Sequence, residues 1–409
     1  MLKGLSRLWL SGLARAGKVQ QSQAAKLFKS MLIKPKPKVK RKSKTIQRPS
    51  AAPANTRAAS KARVLEAPAN PKTDAGSNQL PGKLLASYYS PLADDGMLLP
   101  LRRMRYYLYL PDRFPAQLAR DHQEKKTWPL IVMLHGCEQT APEFSQGTGM
   151  NQRAGKKGYA VLYPEQSLRS HRHRCWKWYD KATQDGDGDV KMIVGMIEKV
   201  AEKYPIDRTR IYICGISAGA AMANIVALNH PQLIAAVGLH SGPMFGAGHS
   251  LIGAYGVMQH GANNRVGTAI AEVLHKHPEF PAMPTILIQG QGDKIVRPIN
   301  QTQLVQQTLL LNRLAAESAV PVVAKPAGRV GSRNPGRAYE IGDFYLRKKL
   351  LLRVARIAHL EHAWSGGDGS LAFNSPSGPD ASKMMLEFFA RHRRLIAPHL
   401  VCDAGRPVR

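Results

Sequence analysis

Ile211-Tyr212-Ile213-Cys214-Gly215-Ile216-Ser217-Ala218-Gly219-Ala220-Ala221-Met222 is an apolar, β-branched run that ends in Gly-x-Ser-x-Gly and continues into a helix-forming Ala/Met run. That order is strand, tight turn, helix. A serine on so sharp a turn stands clear of the backbone, and glycines on either side let strand and helix approach closely. The competing reading is an ordinary βα turn that happens to carry a small residue. The surrounding chain decides between them.

Upstream, Pro129-Leu130-Ile131-Val132-Met133-Leu134 is a continuous apolar run of the kind that fills a buried parallel strand. It opens into His135-Gly136-Cys137-Glu138-Gln139. Met104–Leu110 alternates as a strand, and Tyr159–Pro164, Ile234–Leu239 and Thr285–Gln289 read as further strands. The elbow strand and its helix occupy 210–230, and further helical stretches are expected over Pro142–Lys157, Val190–Lys203, Gln301–Ala316 and Ser382–Arg394. A long strand or hairpin is expected over Phe344–Leu360, and a Gly/Pro/Arg-rich surface loop over 321–338. Strands alternating with helices imply a mostly parallel sheet covered by helices on both faces. With the serine turn, this is the α/β-hydrolase fold.

Composition separates the chain of 409 residues into two parts. Residues 1–80 carry 18 Lys and Arg against two acids, a net +16 out of the chain's +31. Residues 2–33 read as a basic amphipathic helix, with an unstructured or targeting arm as the alternative, and the Lys/Pro/Ala/Ser-rich remainder to residue 80 as a disordered linker. Such an arm favours an anionic surface, such as phospholipid or the coat of a polyester granule. Nucleic acid is disfavoured, because no aromatic interleaving or binding fold accompanies the charge. The expected division is therefore a basic arm, 1–80, and a catalytic domain, 81–409. No run of about 18 apolar residues predicts a membrane-spanning helix. Leu8-Trp9-Leu10 is too short for the apolar core of a cleavable signal. The expected location is cytoplasmic, at polyester granules, with secretion as the alternative. Four cysteines (Cys137, Cys175, Cys214, Cys402) are too few for a disulfide scaffold, and Cys214 reads as a small core residue.

A serine hydroxyl needs a base to take its proton and a third group to orient that base. In this fold the chain order is Ser, acid, His. Asp293 follows the strand Ile286-Leu287-Ile288, and His362 lies in the Gly-rich loop Glu361-His362-Ala363-Trp364-Ser365-Gly366-Gly367. Asp343 and His359 compete for these roles, but Asp343 precedes its strand and His359 lies within a strand-like run. Backbone N–H groups of Ala218 and Cys137 are the expected oxyanion donors. Trp176, Trp178 and Trp364 are candidates for an apolar substrate wall, with core packing as the alternative. No metal or organic cofactor is expected. Asp185-Gly186-Asp187-Gly188-Asp189 opens like a calcium loop, but Val190 and Met196 occupy the positions where Gly and Glu are required. His171-Arg172-His173-Arg174 has metal-like spacing beside arginines that repel a cation.

The chain resembles the esterase family of poly(3-hydroxybutyrate) depolymerases, which includes feruloyl and acetyl-xylan esterases. The resemblance rests on Leu134-His135-Gly136-Cys137, Tyr163-Pro164-Glu165-Gln166, Cys175-Trp176-Lys177-Trp178, Gly215–Gly219, His240-Ser241-Gly242, Gly292-Asp293 through Val296-Arg297-Pro298, His362–Gly367 and Gly378-Pro379-Asp380-Ala381. It implies a hydrolase of polyesters or small carboxylic esters with Ser217, Asp293 and His362 as its triad. It does not extend to residues 1–80. Ala220 stands where the family often has a third glycine, and Glu361 where a small residue is usual beside the base. In secreted relatives Cys137 and Cys175 can be bridged; in a cytosol they remain thiols.

Overall fold

The computed structural model describes residues 81–91, 103–114, 126–314, 322–326 and 338–395. The chain divides into two units, Ile33–Gln79 and the remainder. The first lies outside the described residues, as do the basic arm to residue 80 and Cys402.

In chain order the elements are β1 (Lys83–Tyr89), β2 (Met104–Leu110), β3 (Trp128–Leu134), α1 (Ala141–Thr148), α2 (Met150–Lys157), β4 (Ala160–Glu165), α3 (Lys181–Gln184), α4 (Asp189–Lys203), β5 (Ile206–Ile216), α5 (Ala218–Asn229) and β6 (Ala236–His240). Then come α6 (Leu251–His260), α7 (Val266–Lys276), β7 (Thr285–Gly290), α8 (Ile299–Leu311), β8 (Val322–Pro326), β9 (Tyr339–Leu346), β10 (Lys349–Ile357), the short pair β11 (Trp364–Ser365) and β12 (Asn374–Ser375), and α9 (Ala381–Phe389). The main sheet runs β1-β2-β4-β3-β5-β6-β7-β10-β9-β8. Its six central strands, β4 to β10 in that order, are parallel, and antiparallel strands flank them at each side.

Alternation along the central strands builds two cores. Leu130, Val132, Leu134, Ile211 and Ile213 face one side, where α4, α5, α6, α7 and α8 pack. Ile131, Met133, Tyr212 and Cys214 face the other, against α1, α2 and α9. Each buried Val, Leu or Ile contributes about 1.5–3 kcal/mol through apolar area removed from water. Both faces are therefore covered, as the apolar runs require. Chain order reverses between β3 and β5, whose neighbours lie on opposite sides. The carboxyl ends of these two strands form the crevice where such sheets place their sites.

The helix expected over Pro142–Lys157 is two helices. Gly149 adopts φ 58° and ends α1, which starts on a capping box of Thr140 and Glu143. The loop expected over 321–338 contains an edge strand, β8, paired to β9; residues 327–337 lie outside the described residues. Helices α6 and α7 were absent from the sequence expectation. The signal of α6 is present: Ser250 caps Gly253 N–H at 3.0 Å, and Leu251, Ala254 and Met258 keep helical spacing.

Candidate active site

Ser217 occupies φ 57°, ψ −124°, between the end of β5 and the start of α5. A non-glycine residue pays about 1–3 kcal/mol for such a conformation and keeps it only where the surroundings impose it. They do so here. A Cβ on Gly215 would meet the Leu134 carbonyl oxygen at 2.4 Å, and one on Gly219 would meet the same atom at 2.1 Å. The elbow is therefore clamped against β3 as well as between its own strand and helix. Ser217 N–H donates to the His240 carbonyl at 3.0 Å. The positive end of α5 points into the space beside Ser217. Ala220, in place of a third glycine, packs fully buried.

The loop after β3 is held by its own polar groups. The buried His135 ring donates from Nδ1 to the Gly136 carbonyl at 2.7 Å, and its Nε2 accepts from Gln166 N–H at 3.0 Å. Burial pushes this imidazole down to about 4. Gly136 N–H donates to Gln139 Oε1 and Glu138 N–H to the His173 carbonyl, both at 2.8 Å. Among the described hydrogen bonds, no protein acceptor takes the N–H of Cys137 or of Ala218. Cys137 and Cys175 form a disulfide. The His173 Nδ1–Glu138 bond at 2.5 Å and the Trp176 Nε1–His135 carbonyl bond at 2.9 Å tie the same two loops. His171 and His173 are thus parts of this brace.

Asp293 sits 2 % exposed on the turn after β7. Its Oδ1 accepts from Ile295 and Val296 N–H, each at 2.9 Å. Its Oδ2 accepts from Gln289 Nε2 at 3.1 Å and from His362 Nδ1 at 2.8 Å. This turn and the His362 loop are stitched together by Gly292 N–H to the Leu360 carbonyl at 3.0 Å, and a Cβ on Gly290 would strike that same oxygen. Asp343 is instead committed to Arg353 through two bonds of 2.8 and 2.7 Å, and His359 is exposed.

Ser217 and His362 line one cavity of roughly 830 Å³, counting its open mouth. Cys137 and Ala218 line it too. Its walls are mainly apolar, with Trp178, Tyr179, Leu251, Met258, Ile295 and Phe373. Of the three tryptophans expected in a substrate wall, only Trp178 borders the cavity. Trp176 is fully buried, donating to the His135 carbonyl. Trp364 is buried between the His240 ring and the edge of Phe144, and donates to Ser382 Oγ. Both are core residues because an indole N–H that finds a fixed internal acceptor makes a buried position favourable. Sequence reading missed the α6 wall, together with Tyr179, Ile295 and Phe373. Ile295 lies two residues after the expected acid, a position that could have flagged it.

The acids at 185–189 are absorbed locally. Asp185 takes Lys181 and Lys276 at 3.0 and 2.9 Å, and Asp189 accepts from Gln166 Nε2 at 2.8 Å at the head of α4.

Residues 104–328 match the family model described as Esterase PHB depolymerase. Poly(3-hydroxyalkanoate) depolymerase C of Paucimonas lemoignei is 27% identical over 207 residues, 50% of this chain and 47% of that protein. Feruloyl esterase B of Neurospora crassa is 33% identical over 141 residues, 34% and 44% of the two chains. Acetylxylan esterase A of Emericella nidulans is 31% identical over 133 residues, 32% and 40%. The matched stretches span less than half of each relative. Among solved structures, an acetyl xylan esterase from Aspergillus awamori superposes with a TM-score of 0.56 at 17% identity, covering 75% of this chain and 99% of that one. That likeness is one of fold. With more than half of its length inside the family model, this chain belongs to the PHB depolymerase esterase family.

Proposed function

We propose that the chain is a serine esterase that hydrolyses carboxylic esters through an acyl-enzyme. The observation that carries this reading is Ser217, strained on its elbow, sharing one apolar cavity with a histidine whose Nδ1 is held by a buried carboxylate. His362 Nε2 takes the proton as Ser217 Oγ bonds to the ester carbonyl carbon. The carbonyl oxygen gains negative charge and receives the N–H groups of Cys137 and Ala218, with the α5 dipole behind them. His362 returns the proton to the departing alcohol oxygen. Water then repeats the sequence on the acyl-enzyme and releases the acid. Asp293 keeps the proton on Nδ1, so that Nε2 can act as the base.

The favoured substrate is a poly(3-hydroxyalkanoate) or a short ester of similar chemistry. An apolar wall suits an aliphatic acyl chain, and the relative with the longest match of those named is a depolymerase of this polymer. Feruloyl or acetyl-xylan ester hydrolysis is the second reading, supported by the other relatives. A non-catalytic surface-binding protein on the same scaffold is the reading from another class. The chain further divides into a basic arm, 1–80, directed to an anionic or granule surface, and a catalytic domain, 81–409.

Ser217→Ala is expected to abolish p-nitrophenyl butyrate hydrolysis in a protein with unchanged circular dichroism; retained turnover would overturn the triad. Comparing amorphous polyhydroxybutyrate with methyl ferulate separates the two ester classes. Loss of all fluorophosphonate labelling in the unaltered chain would favour the non-catalytic reading.

A further inference from the structure

His240 ends β6, directly beside the elbow, in a segment that the chemistry above does not use. It is fully buried and touches both halves of the site. Its carbonyl accepts the Ser217 N–H at 3.0 Å, which fixes the backbone of the nucleophile. Its imidazole reaches the loop that carries the base. Nε2 accepts the Ser365 N–H at 3.3 Å, three residues beyond His362. The ring stacks on Trp364, with centroids 5.1 Å apart and planes 23° from parallel. On its other edge Nδ1 lies 3.1 Å from Ser241 Oγ. Because Nε2 is an acceptor, the proton sits on Nδ1 and donates to that hydroxyl.

We propose that His240 is a positioning residue: its backbone carbonyl and imidazole edge together hold the Ser217 turn and the His362 loop at the spacing that proton transfer needs. The inference rests on the triad reading and adds a residue to it.

The chemistry of the ring explains why histidine is used. A phenyl ring of similar shape would stack on Trp364 but leave the Ser365 N–H buried without an acceptor, and a buried orphan of that kind is unfavourable. A protonated imidazole would turn Nε2 into a donor facing another donor. It would also place a second cation near His362, which itself becomes positive while the tetrahedral intermediate forms. Burial is the main cause holding the ring neutral, pushed down to about 3, with His362 acting in the same direction and Asp293 against it. His362 comes from the loop after β10 and Asp293 from the turn after β7, so the charges from both neighbouring elements are those of the triad itself.

The test uses the full chain and counts active sites by fluorophosphonate titration. Labelling of the wild type that disappears in Ser217→Ala checks the triad reading alone. With that in hand, His240→Phe is expected to lower kcat per titrated serine by about 10²-fold, since a displacement of roughly 1 Å between reacting groups has an effect of that size. KM should move far less. His240→Gln offers an oxygen to Ser365 and an N–H to Ser241, and is expected to recover most of the lost kcat. A residue with a merely structural role would reduce the fraction of labelled protein but not kcat per labelled site. Wild-type kcat per site in His240→Phe, or no recovery in His240→Gln, overturns the proposal. Nitrogen NMR of the unaltered enzyme gives a readout independent of variant folding. The His240 ring should keep its proton on Nδ1 and stay neutral down to pH 5, and titration near its ordinary value would overturn the proposal as well.

Discussion

At the scale of single residues, the site depends on groups kept in one ionisation state by burial. His135 braces the loop after β3 and His240 lies beside the elbow, pushed down to about 4 and about 3. His392, near the end of α9, is likewise pushed down to about 4 by burial and by Arg391 and Lys349. A base whose value is depressed on folding binds protons more readily in the unfolded chain. Stability is therefore complete above about pH 6.5 and falls as pH drops toward each folded value, by up to about 1.4 kcal/mol per pH unit for each ring. Asp185 and Asp207 are depressed acids, and their contribution is lost only as pH falls below the ordinary carboxylate range, where the histidine loss is already far advanced. Urea unfolding should give a free energy that declines from pH 7 to pH 4.5. A flat profile over that range would contradict rings that are neutral in the folded protein.

Among the elements, the loop after β3 and the loop after β4 behave as one unit. The Cys137–Cys175 disulfide closes a separation of 38 residues, and the Glu138–His173 and Trp176–His135 bonds reinforce it. Loop-closure entropy for a ring of that length is about 4 kcal/mol in the unfolded chain. Replacing both cysteines, Cys137→Ser with Cys175→Ser, should lower the urea midpoint. With the Cys137 N–H in its proposed oxyanion role, the same variant should lower kcat more than it raises KM. An unchanged midpoint would show that the hydrogen bonds alone hold the loops. The α6 helix is the third wall of the cavity. Its Leu251, Ala254 and Met258 line the cavity, Leu251 at the exposed mouth, while Ile252 and Tyr255 are exposed.

For the whole molecule, topology does the assembling. Ser217 follows β5, Cys137 follows β3, Asp293 follows β7 and His362 follows β10, and all four strands are parallel. Parallel strands deliver their carboxyl ends to one edge of the sheet, so residues spread over more than two hundred positions converge there. Of the formal charge of +31, +16 falls in the first 80 residues. If the arm serves a surface, deleting residues 1–80 should leave hydrolysis of a soluble p-nitrophenyl ester at the full-length rate. It should also remove salt-sensitive retention on anionic vesicles and polyester granules. Retention that survives the deletion would sink that role.

Residue order alone carried the fold class, because continuous apolar strands alternating with helices admit few arrangements. It also carried the triad expectation, because a Gly-x-Ser-x-Gly turn, an acid after a strand and a histidine on a glycine-rich loop occur in the order this fold uses. The division of helix at Gly149 and the edge strand at Val322–Pro326 were less legible, since a left-handed glycine and a short edge leave weak periodic signals. The pocket was least legible. Trp176, Trp178 and Trp364 look alike in sequence, and only packing distinguishes the two whose N–H groups find buried acceptors from the one that meets the cavity. Sequence preferred Asp293 to Asp343 by its place after a strand, whereas the partners of the two carboxylates, His362 and Arg353, are seen only in space. Local chemistry is written into neighbouring residues and survives in one dimension; a wall, a brace or a hydrogen bond across 125 positions, such as that from Ser365 to His240, comes into being only when the sheet brings distant segments together.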